Sequence, residues 1–294
     1  MNKVGFIGVG IMGKSMVRNL MKAGFELHIY ARTKSKVEDV ISEGAQFHES
    51  IKDCVQDCDA VITIVGFPQD VEEVYFDEGN ILDSAKKGAY LIDMTTTSPQ
   101  IAEKIYEEGT KRGSHVMDAP VTGGDTGAKA GTLSILVGGE KEDYEACMPL
   151  FEAMGTNINY QGKAGCGQHC KLANQIMIAG TLSGVCEALT YAKEQGLDPE
   201  VFMKSVATGA AGSKQLDTFG PKILKDDYAP GFFMKHFIKD MKLALIEANR
   251  KGLSLDVLSM VLANYEELEQ EGYGDLGTQA LMKFYDEEHR NTEE

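Results

Sequence analysis

The chain has 294 residues, enough for a sizeable core and for two domains. At 43% hydrophobic and 25% charged it has the composition of an ordinary soluble globular protein, not of a disordered or fibrous one. Its net charge of −16 argues against nucleic acid or an anionic membrane surface as partner, since both call for a basic face.

The chain opens on Lys3-Val4-Gly5-Phe6-Ile7, an apolar run that reads as a buried strand and is too short and glycine-broken for a signal peptide. Gly8-Val9-Gly10-Ile11-Met12-Gly13 follows at once, and residues 14–23 then read as a helix ended by Gly24. A G-x-G-x-x-G placed between a strand and a helix is a dinucleotide-binding turn. Gly8 permits the tight turn, Gly10 lets a pyrophosphate approach the backbone, and Gly13 lets the helix pack close to the strand. The helix start supplies N–H donors and partial positive charge, so Gly8, Gly10, Ile11, Met12 and Gly13 are the candidate phosphate-side residues.

A second strand spans residues 26–30. An NAD-binding unit places an acid at its tip to bond the ribose 2′-hydroxyl. Here the tip reads Ala31-Arg32-Thr33-Lys34, with Lys36 close behind, and carries no carboxylate. A guanidinium, a hydroxyl and ammonium groups suit a 2′-phosphate, so Arg32, Thr33 and Lys36 predict NADP(H), with NAD as the other possibility.

The alternation continues with a helix over 35–44 and a strand over 60–65, whose exit through Val65 and Gly66 is expected to pass the cofactor. A helix over 70–76, a strand over 89–93, a helix over 99–112 opened by Pro99, and a strand over 115–118 follow. Cys54 and Cys58 are spaced as one half-buried helix face. In a doubly wound sheet, ligands lie beyond the carboxyl ends of the strands. Thr95 and Thr96 fall there, able to bond ligand or to cap the next helix, for which Ser98 is the better cap. Thr122-Gly123-Gly124 sets a hydroxyl beside unencumbered N–H groups and can form a concavity for a carboxylate. A strand over 132–137, a helix over 140–154 and a strand over 156–160 close a first domain near Gly162.

From residue 163 onward the pattern is helical throughout. Gly165-Cys166-Gly167-Gln168-His169-Cys170-Lys171 leads into an apolar run reaching about Gln195. Asn174, Gln175, Thr181, Ser183 and Glu187 interrupt that run, which makes it a buried helix and not a membrane span. Further helices are expected from Asp198-Pro199 and over 213–224, 234–250, 255–271 and 278–288, ahead of a frayed charged tail over 287–294. The fold class is therefore α/β: an N-terminal Rossmann dinucleotide-binding domain over 1–162, then an all-α domain over 163–294. A long interdomain helix joins them, with the active site expected in the cleft between.

That helix begins with the main candidate for chemistry. Lys171 lies in its first turns, and Asn174 and Gln175 follow three and four residues on, sharing its face. A lysine at the positive end of a helix is expected to have a lowered pKa and to serve as a proton donor and acceptor. Cys166, His169 and Cys170 offer three ligands with no distant cysteine pair, so no metal site is expected. Six cysteines without a secretory signal imply reduced thiols in the cytoplasm.

Four blocks now in hand resemble the β-hydroxyacid dehydrogenase family, which includes 3-hydroxyisobutyrate dehydrogenase, tartronate semialdehyde reductase and glyoxylate/succinic semialdehyde reductases. They are residues 5–13, residues 118–124, residues 165–174 and Lys239-Asp240-Met241, so the resemblance runs over nearly the whole chain. It implies that Lys171 is the catalytic acid/base, that Thr122, Gly123 and Gly124 hold a substrate carboxylate, and that Asn174 orients substrate or lysine. It further implies that Thr96 touches the cofactor near the nicotinamide and that Lys239 closes over the cofactor. Gly165 and Gly167 would then let the nicotinamide end of the cofactor approach the backbone. Two positions depart from the family pattern: Thr122 replaces the usual serine, and Gly66 stands where a proline is usual, with the proline displaced to Pro68.

The implied reaction is hydride transfer between NADPH and the aldehyde carbon of a short carboxylate, giving a hydroxy acid, or its reverse. The expected assembly is a homodimer or homotetramer. Rival readings on the same fold are an imine reductase, a 6-phosphogluconate-type dehydrogenase, for which the chain is short, and a non-catalytic NADP-binding module. The retained Lys171, with Asn174 in phase, argues against the last.

Overall fold

Short apolar runs alternating with amphipathic segments resolve into a parallel-dominated sheet in the computed structural model, which describes residues 1–285. The helix end expected up to residue 288 and the tail over 287–294 lie outside the described residues. The chain divides into two units, the first spanning Met1–Lys171 and the second beginning at Leu172.

The strands of the first unit are β1 (Lys3–Ile7), β2 (Glu26–Tyr30), β3 (Gln46–Phe47), β4 (Ala60–Thr63), β5 (Tyr90–Asp93), β6 (His115–Asp118), β7 (Val121–Thr122), β8 (Leu133–Gly139) and β9 (Gly155–Gly162). Their order is β3-β2-β1-β4-β5-β6-β8-β7, with β9 paired to β8. Strands β1 to β6 run parallel, and β8 is antiparallel to β6 and β7. Between them lie α1 (Ile11–Lys22), α2 (Glu38–Ser42), α3 (Ile51–Val55), α4 (Pro68–Phe76), α5 (Ile81–Ser84), α6 (Pro99–Lys111), α7 (Gly124–Ala130), α8 (Lys141–Ala146) and α9 (Met148–Met154).

Both sheet faces are covered. Phe6, Ile62 and Ile92 join one buried cluster with Met16 and Leu20, whereas their neighbours Ile7, Val61 and Leu91 join another with Tyr75 and Ile105. Successive strand residues face opposite sides, so burial on both faces makes these strands continuous apolar runs without alternation.

Four helical segments of the first unit depart most from expectation. The first helix begins at Ile11 rather than residue 14, because Gly10 adopts an extended N-cap conformation and Gly13 already lies within the helix. The helix expected over 35–44 is a 3-10 turn, Lys34–Lys36, followed by α2. α4 begins at Pro68, whose missing N–H costs nothing at a first helical position. The helix expected over 140–154 is broken at Cys147 into α8 and α9. Pro149, with no N–H and a ring that crowds the carbonyl four residues back, prevents a continuous helix. Cys54 and Cys58, expected on a half-buried face, are both fully buried, and Cys58 lies beyond the end of α3.

The second unit is helical. α10 (Cys166–Glu194) enters it from the first, and α11 (Pro199–Ala207), α12 (Lys214–Ile223), α13 (Met234–Arg250) and α14 (Asp256–Gln270) follow. The segment expected as a helix from residue 278 is a 3-10 helix, Thr278–Tyr285. By length and composition α10 could cross a membrane. Its Leu172, Ala179, Leu182, Cys186 and Leu189 are instead buried with Phe237, Met241, Val261 and Tyr265, so it serves as a core helix. Buried Tyr265 donates its hydroxyl to the Thr278 carbonyl at 2.7 Å, which satisfies its polar end.

Candidate active site

The three glycines after β1 have different jobs. Gly8 has φ +97°, and a Cβ there would meet the Ile64 carbonyl oxygen at 2.1 Å. A Cβ on Gly13 would meet the Gly8 carbonyl oxygen at 2.1 Å, whereas one on Gly10 meets nothing within 4 Å. Gly8 and Gly13 are therefore fixed by the chain itself. Gly10 faces open space at the start of α1, beside exposed Ile11 and half-buried Met12. Such a cradle, at the N-terminus of a 12-residue helix, fits a pyrophosphate. Gly10→Ala is expected to leave the melting temperature nearly unchanged and weaken NAD(P)H binding at least about tenfold by keeping the pyrophosphate off the backbone. Gly13→Ala is expected to cost about 1–3 kcal/mol of stability through overpacking. Thermal melts and fluorescence titration with the reduced cofactor separate the two, and equal loss of stability in both variants would show that Gly10 too is only structural.

At the tip of β2, Thr33 and Lys36 are exposed. Arg32 is already engaged: its Nη2 donates to Asp70 Oδ1 at 2.7 Å and to Glu73 Oε2 at 2.8 Å. The strand tip carries no acid in sequence, but α4 brings two to it across 38 and 41 residues, a separation that hides them from a local reading.

The loops after β4 and β5 are tied together from within. Val65 N–H donates to Thr95 Oγ1 at 3.0 Å, and Thr95 N–H donates to Asp93 Oδ1 at 3.1 Å. Asp93 also accepts from Thr63 Oγ1 at 2.7 Å. Burial pushes the Asp93 carboxyl up to about 6, against the lowering effect of these hydrogen bonds. Thr95 is therefore spent on the scaffold, whereas Thr96 is half-buried and Ser98 caps α6 as expected. Gly66 is half-buried beside Val65.

The start of α10 is bolted to the same region. Asp118, at the end of β6 and buried, accepts from Gly165 N–H through Oδ1 and from Gln168 N–H through Oδ2, both at 2.8 Å. Burial raises its carboxyl above the usual range and the two N–H donors pull it back. Gln168, fully buried, donates through Nε2 to the Thr95 carbonyl at 2.7 Å and accepts the Thr97 N–H through Oε1 at 3.0 Å. The segment that carries Thr96 is thus clamped to the first turn of α10. Lys171 stands three residues beyond Gln168 on the same helix face and is only 7% exposed, which sets it apart from an ordinary solvated lysine.

Gly165 and Gly167 require a correction. Their expected role was to admit the nicotinamide end of the cofactor to the backbone. A Cβ on Gly167 would meet the Leu136 carbonyl oxygen at 2.4 Å and that of Asp118 at 2.7 Å, and one on Gly165 would press on Glu103 at 3.2 Å. Close packing against β6 and β8 excludes a side chain at Gly167, and a φ of +85° favours glycine at Gly165.

Thr122 closes β7, paired with Ser134 of β8, and is half-buried. Gly123 and Gly124 follow with φ +130° and +63°, backbone that glycine alone adopts readily, and both are exposed. In the second unit, Asn174 donates to Gln175 Oε1 at 2.8 Å, and Gln175 donates to Asp240 Oδ2 at 2.6 Å. Lys239 Nζ lies 3.0 Å from Asp240 Oδ1, with Asp240 fully buried. Lys239 stands out in the sequence, whereas nothing there gives a role to Asp240, Gln168 or Asp118. Their signal is weak, because a buried polar residue at a helix start or mid-helix looks like a surface residue until its partners are known. Among the described residues no group of three or more His, Cys, Asp or Glu is arranged to hold a metal ion.

Two family models together span nearly all of the chain. Residues 3–162 match the family model described as the NAD binding domain of 6-phosphogluconate dehydrogenase. Residues 165–285 match that described as NAD-binding of NADP-dependent 3-hydroxyisobutyrate dehydrogenase. The chain is 49% identical to the uncharacterized oxidoreductase YkwC of Bacillus subtilis, covering 96% of this chain and 98% of that one. It is 44% identical to the probable 3-hydroxyisobutyrate dehydrogenase-like 1, mitochondrial, of Arabidopsis thaliana, over 95% of this chain and 84% of the relative. A solved 3-hydroxyisobutyrate dehydrogenase of Mycobacterium tuberculosis with L-serine superposes with a TM-score of 0.88 at 26% identity, covering 96% of this chain and 98% of that one.

Proposed function

The chain belongs to the β-hydroxyacid dehydrogenase family and is an NAD(P)-dependent oxidoreductase acting on hydroxy acids, and from this we propose that it interconverts a short semialdehyde carboxylate and its hydroxy acid with NADPH, using Lys171 as general acid and base. The nicotinamide, when bound, supplies or accepts the hydride. In reduction the Lys171 ammonium gives a proton to the oxygen of the former carbonyl as the hydride reaches carbon; in oxidation the neutral amine takes that proton back. Both directions require Nζ to titrate near the working pH. Thr122, Gly123 and Gly124 hold the substrate carboxylate through a hydroxyl and backbone N–H groups. Asn174, one turn beyond Lys171, orients the substrate or the amine. Thr96 lines the nicotinamide end, Gly8, Gly10, Ile11, Met12 and Gly13 the pyrophosphate, and Arg32, Thr33 and Lys36 the 2′-phosphate.

The observation that carries this reading is the burial of Lys171 one turn beyond Gln168, which grips the segment bearing Thr96. The L-serine in the similar Mycobacterium tuberculosis structure is itself a β-hydroxy carboxylate. Exposed Met177, Ile246, Val257 and Met260 on the helical unit support self-association as a homodimer or homotetramer, and we place the protein in the cytoplasm. The decisive assay incubates the protein with NADPH and a panel of semialdehydes, the matching aldehydes without a carboxylate, and cyclic imines, following the absorbance of the reduced cofactor. Turnover is expected with carboxylate-bearing semialdehydes alone. Turnover confined to imines, or equal rates on aldehydes lacking the carboxylate, would overturn the substrate assignment.

A further inference from the structure

We infer that Asp70 and Glu73 determine how strongly this site selects a 2′-phosphate, by competing with the phosphate for Arg32. The inference rests on the NADP reading above and concerns its strength. A guanidinium grips a phosphate best with two parallel N–H bonds, and it has two edges that can do so, Nε with Nη2 and Nη1 with Nη2. Both edges need Nη2, which is the nitrogen that the two carboxylates hold at 2.7 and 2.8 Å. A forked grip on phosphate therefore requires at least one carboxylate to give way.

The carboxylates are not loose surface groups of equal standing. Asp70 is pinned at the start of α4, where its Oδ2 accepts the Phe67 N–H at 2.9 Å, and it is only 21% exposed. Glu73 stands three residues further along the same helix face and is 51% exposed. Asp70 thus holds Arg32 in place, and Glu73 is the partner that can swing away. With both acids present, Arg32, Asp70 and Glu73 sum to a charge of −1, which repels an incoming phosphate of about −2. Lys34, a further cation at this strand tip, has Glu49 Oε1 at 3.6 Å, which leaves exposed Lys36 and the Thr33 hydroxyl as the remaining attraction. A ribose 2′-hydroxyl, by contrast, needs no cation and can donate to either carboxylate. The arrangement admits NAD and restrains the preference for NADP that the bare strand tip suggests.

The test is calorimetric titration of the full chain with NADP⁺ and NAD⁺, with no turnover involved. Glu73→Gln keeps the shape of the side chain and removes its charge. It is expected to tighten NADP⁺ about three- to fivefold, the scale of one half-exposed ion pair, while NAD⁺ affinity stays within about twofold. Asp70→Asn is expected to shift the ratio in the same direction, and raised salt is expected to shrink both effects. An unchanged NADP⁺ to NAD⁺ ratio in Glu73→Gln, or weakened NADP⁺ binding, would overturn the inference, the latter by showing that Glu73 aims Arg32 at the phosphate. Arg32→Ala keeps the two questions apart. If it weakens NADP⁺ selectively while Glu73→Gln changes nothing, only the competition fails. If it leaves NADP⁺ affinity intact, the NADP assignment of Arg32 fails with it.

Discussion

Lys171→Ala is expected to abolish turnover, lowering kcat by at least about a thousandfold, while NADPH still binds with nearly wild-type affinity. The backbone of α10 at this point is set by Asp118 through Gly165 and Gln168, and none of those bonds involves the Lys171 side chain. The candidate pyrophosphate cradle at Gly10 belongs to the turn between β1 and α1. On the proposed roles, removing the amine deletes the proton donor and acceptor without touching the residues assigned to anchor the cofactor. Alanine is well tolerated inside a helix, so the fold should survive. Lys171→Arg is expected to remain inactive in alcohol oxidation, because a guanidinium does not release its proton near neutral pH. Steady-state kinetics and NADPH fluorescence titration on the same preparations decide the matter. If cofactor affinity falls in parallel with turnover, Lys171 is a binding or structural residue and the acid/base role is lost.

Much of this site was legible from sequence for a physical reason. Gly8, Gly10 and Gly13 sit within a strand–turn–helix unit whose signals are all local: an apolar run, glycines at fixed offsets, a helix pattern. The same holds for Thr122-Gly123-Gly124, where two successive positive-φ residues demand glycine. What escaped the sequence is non-local or has no period. β3 and β7 have two residues each, too few for any alternation to show. The engagement of Arg32 by α4 depends on which helix packs beside the tip of β2, and sheet order is not written in any short window. Thr95 and Thr96 are indistinguishable as neighbouring residues. Only the Val65 N–H, from the loop after β4, and the carboxylate of Asp93, at the end of β5, assign Thr95 to the scaffold and leave Thr96 half-buried. Gly165 and Gly167 were visible as glycines but misread in purpose, since their close neighbours come from Glu103, Asp118 and Leu136.

The same clamp carries the second large effect. Asp118→Asn is expected to lower both stability and kcat while leaving the KM for NADPH within about threefold. The two carboxylate oxygens each accept a backbone N–H at the start of α10, where N–H groups have no partner within the helix. An asparagine amide offers one acceptor oxygen and turns an NH₂ toward the other donor, leaving one buried N–H unpaired. That costs about 1–3 kcal/mol, or roughly 3–10 °C in melting temperature for a domain of this size. The catalytic consequence follows from position. Gln168, whose own N–H Asp118 holds, fixes Thr95 and Thr97 through its side chain and precedes Lys171 by one turn. Loosening it lets the amine and the Thr96 segment drift relative to each other, and a displacement near 1 Å is worth about a hundredfold in rate. Gln168→Leu, which keeps both Asp118 bonds to the backbone but leaves the buried Thr95 carbonyl and Thr97 N–H without their partner, is expected to lower kcat with a loss of stability at least equal to that of Asp118→Asn. Both variants melting early yet turning over at the wild-type rate below their transitions would reduce Asp118 and Gln168 to scaffold. A fall in kcat without a matching rise in KM identifies them as the residues that position Lys171.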